Sequence, residues 1–324
     1  MTRRSPGVAR RRFLAGAAAA GGALLLGRPL HASPGSPAAG CQLFGIAVHG
    51  RTVYGAATLA DGRSGLVAFG LGAGPGPLTS LDGEGFLATG TGPGQFNFPL
   101  ALAPMGEDGL LVVDANNGRL QILNWPGPDR PFTHRQDLAR LGPRPGEVHR
   151  PSGAAVANGV VYVADTRNHR VQLLDLATGA VLKVVGERGS VPGTFRVPSV
   201  VVVDEEGLVF VADSGNGRVQ ILSAWSRGRG AEPEGVPLDG FTLPLTALAA
   251  AGGTLWVLEA AQVPGRGARV HVFRRNGTSW QRDEDLGARL SSGLASLKAP
   301  HGLCRAPDGS ILVGDRITGV VHRI

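Results

Sequence analysis

Short apolar runs separated by turn signals recur along the chain after residue 43. Small runs such as 154–156 (AAV) and 200–203 (VVVV) are followed by a turn such as Asn158-Gly159, a second apolar run, a polar turn and a third run. Asn-Gly and Asp-Gly pairs between apolar runs are typical of β-hairpins. Runs this short, bounded by turns, indicate strands that are buried on both faces. The pattern therefore predicts several antiparallel strands in each unit.

A polar turn repeats at a fixed spacing inside these units. In three units an Asp is followed three residues later by Asn and five residues later by Arg, and looser copies place acids at Glu259 and Asp315. Successive acids are 46 to 56 residues apart, and a proline precedes each acid by 14 or 15 residues. The three complete sets are Asp114, Asn117 and Arg119; Asp165, Asn168 and Arg170; and Asp213, Asn216 and Arg218.

A repeat of this length with several strands per unit is typical of propeller blades. A further, degenerate unit at 53–69 has Ala57 where the acid would stand, which makes six units. We therefore predict an all-β fold, a six-bladed β-propeller with four antiparallel strands per blade over residues 43–324. The last unit reaches only its third strand at Ile324, so residues 33–42 are predicted to be a linker or, from about 35 to 42, the closing strand.

The run Asn168-His169-Arg170-Val171 resembles the Asn-His-Leu-like run that names the NHL-repeat family. The resemblance extends over about residues 43–324 and is specific in the second to fourth units. It implies a propeller of the NHL type. The 51 glycines and 23 prolines, with only 5% aromatic residues, agree with many short strands and tight turns.

The chemistry of the repeated trio predicts a role within the turn. An Asp carboxylate can accept hydrogen bonds from backbone N–H groups two or three residues on, Asn tolerates positive φ, and Arg can return a bidentate bond to the carboxylate. Three identical sets would require three active sites if they were catalytic. We therefore predict structural turn residues and no catalytic residue among them.

The first 32 residues have a different pattern. Arg10, Arg11 and Arg12 precede Phe13-Leu14, and an uncharged apolar stretch of about 14 residues follows, too short for a membrane-spanning helix, which needs about 20. The segment resembles a twin-arginine (Tat) signal peptide, and the alternative is a basic amphipathic anchor. The resemblance implies export through the Tat pathway to the periplasm or cell envelope.

This segment also accounts for the basic charge of the chain. The chain has 32 Lys and Arg against 25 Asp and Glu, but six of the basic residues lie in residues 1–32. The remainder has 26 basic and 25 acidic residues. A near-neutral domain lacks the positive charge expected for binding a phosphate backbone, so no nucleic-acid partner is predicted.

The two cysteines, Cys41 and Cys304, leave three alternatives open. An oxidising compartment permits a disulfide between them but does not imply one. The run 37–41 (PAAGC) resembles a lipoprotein cleavage box, which would place a lipid on Cys41 and anchor the chain to a membrane. Otherwise the two residues are unrelated thiols.

The loops that lead into the innermost strands are expected on the same face as the polar turns, around the central channel. The residue after each proline is predicted to point towards the channel mouth, with the residue two positions before the proline beside it. We predict a non-catalytic scaffold that binds a protein or peptide on this proline-loop face. The predicted ligand-binding residues are Asn97, His149, Ser152, Arg196, Ser199, Lys298 and His301.

The alternative function is a metal-dependent lyase or hydrolase centred on His301 in the channel. Pro300-His301 resembles the Pro-His pair of amidating lyases that act on peptidyl-hydroxyglycine, in which several such histidines hold zinc. The other residues after the prolines do not match: Leu100, Ser152, Ser199 and Leu245. Because a catalytic zinc usually needs three protein ligands, no cofactor is predicted, and zinc or calcium belongs only to this alternative.

Two insertions, at 223–240 and 274–298, lengthen the fourth and fifth connections. Insertions in repeat proteins often carry binding, although they can equally be tolerated length. Both interpretations stay open from the sequence.

Overall fold

The computed structural model describes residues 41–71, 76–77, 79–80, 86–87, 89–125, 132–226, 228–261 and 267–324. Within these ranges most residues are in β-strands, accompanied by one α-helix and three short 3-10 turns. The predicted signal peptide at 1–32 lies outside the described residues, as do residues 33–40 of the predicted linker.

The first three sheets follow the order of the chain. The first contains β1 (Cys41–His49), β2 (Thr52–Leu59) and β3 (Ser64–Gly70), and both β5 (Thr79–Ser80) and β6 (Phe86–Leu87) pair with β3. The second contains β7 (Pro99–Pro104), β8 (Leu110–Asp114), β9 (Arg119–Asn124) and β10 (Thr133–Asp137). A parallel ribbon of β11 (Arg140–Leu141) and β12 (Glu147–Val148) leads to the third, which contains β13 (Gly153–Ala157), β14 (Val160–Asp165), β15 (Arg170–Asp175) and β16 (Val181–Val185).

The remaining three sheets repeat the arrangement. The fourth contains β17 (Pro198–Val203), β18 (Val209–Asp213) and β19 (Arg218–Leu222), and the fifth contains β20 (Leu245–Ala251), β21 (Thr254–Ala260), β22 (Ala268–Asn276) and β23 (Ser279–Arg282). The sixth contains β24 (Pro300–Arg305), β25 (Ile311–Asp315), β26 (Val321–Arg323) and the short β4 (Gly76–Pro77). The three 3-10 turns are Gly106–Asp108, Thr166–Asn168 and Ser214–Asn216.

The first strands of these sheets surround a central axis. They contact one another in the closed order β1, β7, β13, β17, β20, β24 and again β1. Each sheet therefore runs outward from the axis, with its first strand innermost, which is the arrangement of a β-propeller. The prediction of an all-β propeller fold is confirmed.

The hydrophobic core lies in the spaces between neighbouring sheets. On β14 the side chains of Val161 and Val163 pack against the second sheet, whereas Tyr162 and Ala164 pack against the fourth. Successive side chains of a strand point to opposite faces, so both faces of the third sheet are covered by neighbours. The middle strands can therefore be apolar at every position, as the sequence pattern indicated.

The fourth sheet has three strands, in contrast to the predicted four. Residues 231–238 run beside β19 but form only the single bridges Leu222–Pro233 and Val219–Leu238. Proline cannot donate a backbone hydrogen bond, and Val236, which precedes Pro237, is 82% exposed. The prolines of the first insertion thus replace the outer strand with an irregular segment.

The last sheet obtains its fourth strand from a different segment than predicted. β26 pairs with β4, which follows β3 in the chain. Cys41 and Gln42, the described end of the predicted closing segment, belong to β1 and lie opposite Leu59 and Thr58. The first sheet therefore begins two residues earlier than expected.

The second insertion contains a helix that the strand pattern did not predict. α1 (Glu284–Ser292) begins after Asp283, whose carboxylate accepts the backbone N–H of Leu286 at 3.0 Å. Leu286 and Leu290 pack on the core between the fifth and sixth sheets. No helix within the described ranges combines the length and apolarity required to cross a membrane.

Both cysteines are free thiols. Burial raises the pKa of Cys41 to about 11 and that of Cys304 to about 12. The side chain of Cys41 is 3% exposed and packs beside Ala57 and Leu59 in the first sheet. A lipid on this sulfur would have to displace that packing.

Candidate functional site

Buried carboxylates fasten the loops that lead into the innermost strands. Asp165 Oδ1 accepts the backbone N–H of His149 at 2.7 Å, and Asp165 Oδ2 accepts bonds from Asn168 Nδ2 at 2.9 Å and Arg170 Nε at 2.8 Å. The second and fourth sheets repeat this arrangement, with Asp114 bound to the N–H of Asn97 and Asp213 to that of Arg196, each at 2.7 Å. All three carboxylates are fully buried.

Two details differ from the sequence prediction. The N–H group bound by Asp165 lies 16 residues before it, because the 3-10 turn leaves the carboxylate facing the preceding loop instead of its own turn. Arg170 contacts the carboxylate through Nε alone, while its Nη2 donates to the carbonyl oxygens of Arg144 and Glu147 at 2.7 and 3.0 Å. Asp165, Asn168 and Arg170 therefore join their own turn to the proline-led loop, whereas the sequence predicted contacts within the turn alone.

A fourth member of this network was missed in the sequence. Gln172 is buried, donates from Nε2 to Asp165 Oδ2 at 3.0 Å and to the carbonyl of Glu147 at 2.7 Å, and accepts the N–H of Gly146. Gln121 and Gln220 hold the same position in their sheets. The signal was present, because a Gln follows each repeated Asp by seven residues.

The fifth sheet performs the same task with different groups. Glu259 Oε1 accepts the backbone N–H groups of Thr242 and Leu243, and Oε2 bonds to His271 Nε2 at 2.6 Å. Burial alone would raise the pKa of Glu259, but the hydrogen bonds from His271 and the backbone outweigh it and the pKa is lowered. His271 thus stands where the second, third and fourth sheets use Gln.

In the sixth sheet Asp315 binds its own turn as well as the loop. Oδ1 accepts the N–H groups of Ile317 and Thr318 at 2.8 and 3.0 Å, the pattern that the sequence predicted for the three complete copies. Oδ2 accepts the N–H groups of Lys298 and Ala299.

The predicted ligand-binding residues divide into two groups. Those two positions before a proline are exposed at the rim of the ring: Asn97, His149, Arg196 and Lys298. Their backbone N–H groups are held by the buried carboxylates, so the side chains project from a fixed loop.

The residues that follow a proline instead join neighbouring sheets. Ser152 Oγ donates to the carbonyl oxygen of Ser199 at 2.8 Å, and Ser199 Oγ donates to that of Leu245 at 3.3 Å. His301 is hydrogen-bonded to the backbone of Phe44 and meets its ring edge-on, with centroids 5.4 Å apart. Ser152 therefore joins the third sheet to the fourth, Ser199 joins the fourth sheet to the fifth, and His301 joins the sixth sheet to the first.

His301 is neutral near pH 7. Burial among the first strands, with a smaller contribution from the Arg316 charge, lowers its pKa to about 4, although the Phe44 hydrogen bond opposes this shift. No group of three His, Cys, Asp or Glu side chains able to hold a metal ion occurs in the part of the chain that the structure describes.

The first strands of all six sheets enclose a central cavity of about 700 Å³. Its wall consists mainly of Val, Ala and Leu, with Cys304 on β24. At the proline-loop mouth lie Phe44, His301, Arg150 and Arg316, and at the opposite mouth lies Arg305.

Three residues at the mouth have a backbone conformation that the sequence did not reveal. Phe98, Arg150 and Val197 each precede a repeated proline and have φ of 57°, 46° and 58°. Left-handed φ is uncommon for residues other than Gly and is an outlier for β-branched Val. All three line the cavity. The N–H of Val197 donates to His169 Nδ1 at 3.1 Å, which fixes one of these turns to the neighbouring sheet.

The two insertions meet at a second cavity of about 550 Å³ on the outer side of the ring. Glu234 and Val236 come from the first insertion, and Trp280 and Arg282 from the second. The floor is formed by Leu208, Ile221 and Phe273.

Comparison with known proteins supports the fold. A model described as NHL repeat matches residues 149–172 and 195–222, within the third and fourth units. No curated protein matches the chain in sequence.

Solved structures resemble the chain over most of its length at low identity. They include a putative 6-phosphogluconolactonase from Bacteroides uniformis (TM-score 0.52, 14% identity, 87% of this chain and 82% of that chain) and a chain of the nidogen/laminin complex (0.51, 13%, 81% and 84%). A third is catalytically inactive virginiamycin B lyase from Staphylococcus aureus with quinupristin (0.51, 12%, 91% and 98%). These likenesses show the propeller fold alone.

Proposed function

We propose that this chain is an NHL-type, six-bladed propeller that acts as a non-catalytic binding module, and that its proline-loop face recognises an acidic protein or peptide segment. The observation that supports this most is the way each rim loop is held. A buried carboxylate binds the loop backbone in the second to sixth sheets, so the rim is fixed before a partner arrives. A preorganised surface lowers the entropy cost of binding.

The exposed side chains of the rim favour an acidic partner. Arg196 and Lys298 carry positive charge, and the side chains of His149 and Asn97 supply groups that form hydrogen bonds. The acids of the repeated turns are buried and bound, so they do not offset this charge at the surface. Charge complementarity mainly sets the association rate and the choice of partner.

The metal-dependent alternative has less support. Within the described residues His301 has no second and third ligand beside it, and its imidazole is occupied in the contact with Phe44. Zinc or calcium analysis of the purified protein separates the two functions, because stoichiometric metal that is lost in His301→Ala would favour the alternative.

A binding experiment tests the acidic partner. We expect a labelled peptide of alternating Glu and Ser to bind the wild-type protein in fluorescence anisotropy, with affinity that falls as salt is added. The double variant Arg196→Gln/Lys298→Gln should weaken binding by about tenfold. Arg51→Gln/Arg229→Gln removes two exposed charges on the opposite face and should have no effect. Equal binding by all three proteins would contradict the proposal.

Export is part of the same proposal and rests on residues 1–32. The double variant Arg10→Lys/Arg11→Lys should abolish Tat-dependent transport and leave the protein inside the cell. Fractionation of cells that express the tagged wild type or this variant measures the transport, and equal export of the two proteins would contradict a Tat signal.

A further inference from the structure

The loops before the innermost strands carry a rim residue and a cavity-lining residue in adjacent positions. In the fourth sheet Arg196 is exposed at the rim, and Val197, which directly precedes Pro198, lines the central cavity. The second sheet repeats this order with Asn97 at the rim and Phe98 in the cavity lining. Neighbouring Cα atoms are about 3.8 Å apart. A segment held at the rim therefore has the mouth of the cavity directly beside it.

Val197 is strained without being buried. Its φ of 58° is an outlier for a β-branched residue, yet its side chain is 41% exposed. The backbone N–H of Val197 donates to His169 Nδ1 at 3.1 Å, which holds this conformation in place. Because much of the side chain faces solvent, packing within the chain does not account for an apolar residue here. Strained backbone of this kind is concentrated at ligand clamps and active sites.

Three rings continue the apolar surface at the proline-loop end of the cavity. Phe98 contacts Phe44 with centroids 4.7 Å apart, and Phe44 meets His301 edge-on at 5.4 Å. All three residues line the cavity. Burial lowers the pKa of His301 to about 4, so its ring is uncharged near pH 7. The second, first and sixth sheets thus contribute one uncharged aromatic surface.

The serine hydroxyls at this end of the cavity are already engaged. Ser152 Oγ and Ser199 Oγ donate to carbonyl oxygens of the neighbouring sheets at 2.8 and 3.3 Å. The cavity of about 700 Å³ falls within the range of about 300–1,000 Å³ that holds whole small ligands, so it has room for a single side chain. The mouth therefore suits an apolar side chain better than one that needs hydrogen-bond partners.

We propose that the acidic segment bound at the rim carries an apolar residue beside its acids, and that this side chain enters the cavity mouth against Phe98 and Val197. The inference rests on the proposed function, because the charged rim is what brings the segment to the mouth. It adds a second requirement for the partner, an apolar anchor next to an acid. A side chain buried in a central pocket is typical of the few residues that dominate binding energy.

A peptide series in fluorescence anisotropy tests the anchor. The labelled peptides share the alternating Glu and Ser sequence and differ only at one central Ser, which is kept or replaced by Ala or Leu. Affinity for the wild type should rise from Ser to Ala to Leu, by about tenfold in total, because apolar surface is removed from water. Equal affinity for the three peptides would overturn the inference.

Two variants locate the anchor. Val197→Asn should weaken the Leu peptide by about fivefold, because Asn tolerates the left-handed backbone but offers no apolar surface. Val191→Asn, at a position that is 63% exposed and outside the cavity lining, is the matched control and should have no effect. Phe98→Ala should also weaken the Leu peptide, and near-ultraviolet circular dichroism checks that it folds. Unchanged affinity of Val197→Asn for the Leu peptide would overturn the inference whatever Phe98→Ala does.

The same proteins separate this inference from the proposed function. Arg196→Gln/Lys298→Gln should weaken all three peptides by a similar factor, whereas Val197→Asn should weaken the Leu peptide and leave the Ser peptide unchanged. An equal loss of both peptides in Val197→Asn would overturn the assignment of the anchor to this residue. Absence of any binding of the Ser peptide to the wild type would contradict the rim proposal, and binding of that peptide without a gain from Leu would overturn only the anchor.

Discussion

The hydroxyl oxygen of Ser152 lies 2.8 Å from the carbonyl oxygen of Ser199 on the neighbouring sheet. Ser152 also bonds to Thr166 Oγ1 at 2.6 Å, so one hydroxyl joins its own polar turn to the next sheet. Ser199 repeats this with Ser214 and Leu245. Residues that the repeat pattern placed at a binding mouth thus hold the ring together.

We expect Ser152→Ala to lower the free energy of unfolding by about 1–2 kcal/mol, because the Ser199 carbonyl and the Thr166 hydroxyl lose a partner. Urea denaturation followed by circular dichroism measures the change. Ser292→Ala serves as control, since Ser292 is exposed and bonds only within its helix turn. Equal stability of the two variants would show that water replaces the inter-sheet bond.

His301 should make stability depend on pH. Its pKa is about 4 in the folded chain and about 6.5 when unfolded, so the unfolded chain binds the proton more readily between these values. Stability is therefore unaffected by His301 above pH 6.5 and decreases as the pH falls towards 4, by roughly 2 kcal/mol at pH 5. His301→Gln should remove this part of the loss.

Denaturation of the wild type and His301→Gln at pH 7.5 and pH 5 gives the comparison. Burial also lowers the pKa values of His169 and His322. Both residues are present in the two proteins, so their contributions to the pH dependence cancel in the difference. An identical pH dependence of the two proteins would rule out His301 as the source.

Replacing Gln172 with Leu should cost about 3 kcal/mol of unfolding free energy. The substitution keeps the volume but removes the buried partner of the Gly146 N–H and takes one hydrogen bond each from Asp165 Oδ2 and the Glu147 carbonyl. Gln281→Leu, at an exposed position of β23, is the matched control and should stay within about 0.5 kcal/mol of the wild type. A small effect at Gln172 would mean that the carboxylate and arginine suffice to hold the loop.

Val197→Gly should raise stability by about 1 kcal/mol, because a left-handed conformation costs an L-residue roughly 1–2 kcal/mol that Gly avoids, partly offset by the greater freedom of Gly when unfolded. Thermal denaturation measures the shift. Val201→Gly, in the buried part of β17, should instead destabilise the protein strongly. Destabilisation at both positions would indicate that the contacts of the Val197 side chain outweigh its backbone strain.

The repeat predicted local features well and long-range ones poorly. The spacing of Asp165, Asn168 and Arg170 identified a structural turn, and the apolar runs identified the strands. The loop groups that these side chains bind lie up to 26 residues earlier, and only the folded chain reveals them. The spacing likewise could not tell that Ser152 and His301 bond across sheets while His149 and Arg196 face outward.

Net charge is a second property that the sequence gives without its spatial distribution. Residues 33–324 are nearly neutral in sum, but this sum does not show where the charged side chains lie. The acids of the repeat are engaged in buried hydrogen bonds, and Arg150, Arg305 and Arg316 line the central cavity. Net charge therefore does not show how the charges are distributed in the fold.

The contact between His301 and Phe44 joins the sixth sheet to the first, across nearly the whole described sequence. Earlier sheets can stack one on another as they leave the ribosome, but this last junction requires both partners to have been synthesised. A nascent chain that lacks residues 300–323 would expose the apolar faces of β1 and β20 to solvent. Closure is therefore a late, all-or-none step, and until it occurs the chain is most exposed to proteases and to association with other unfinished chains.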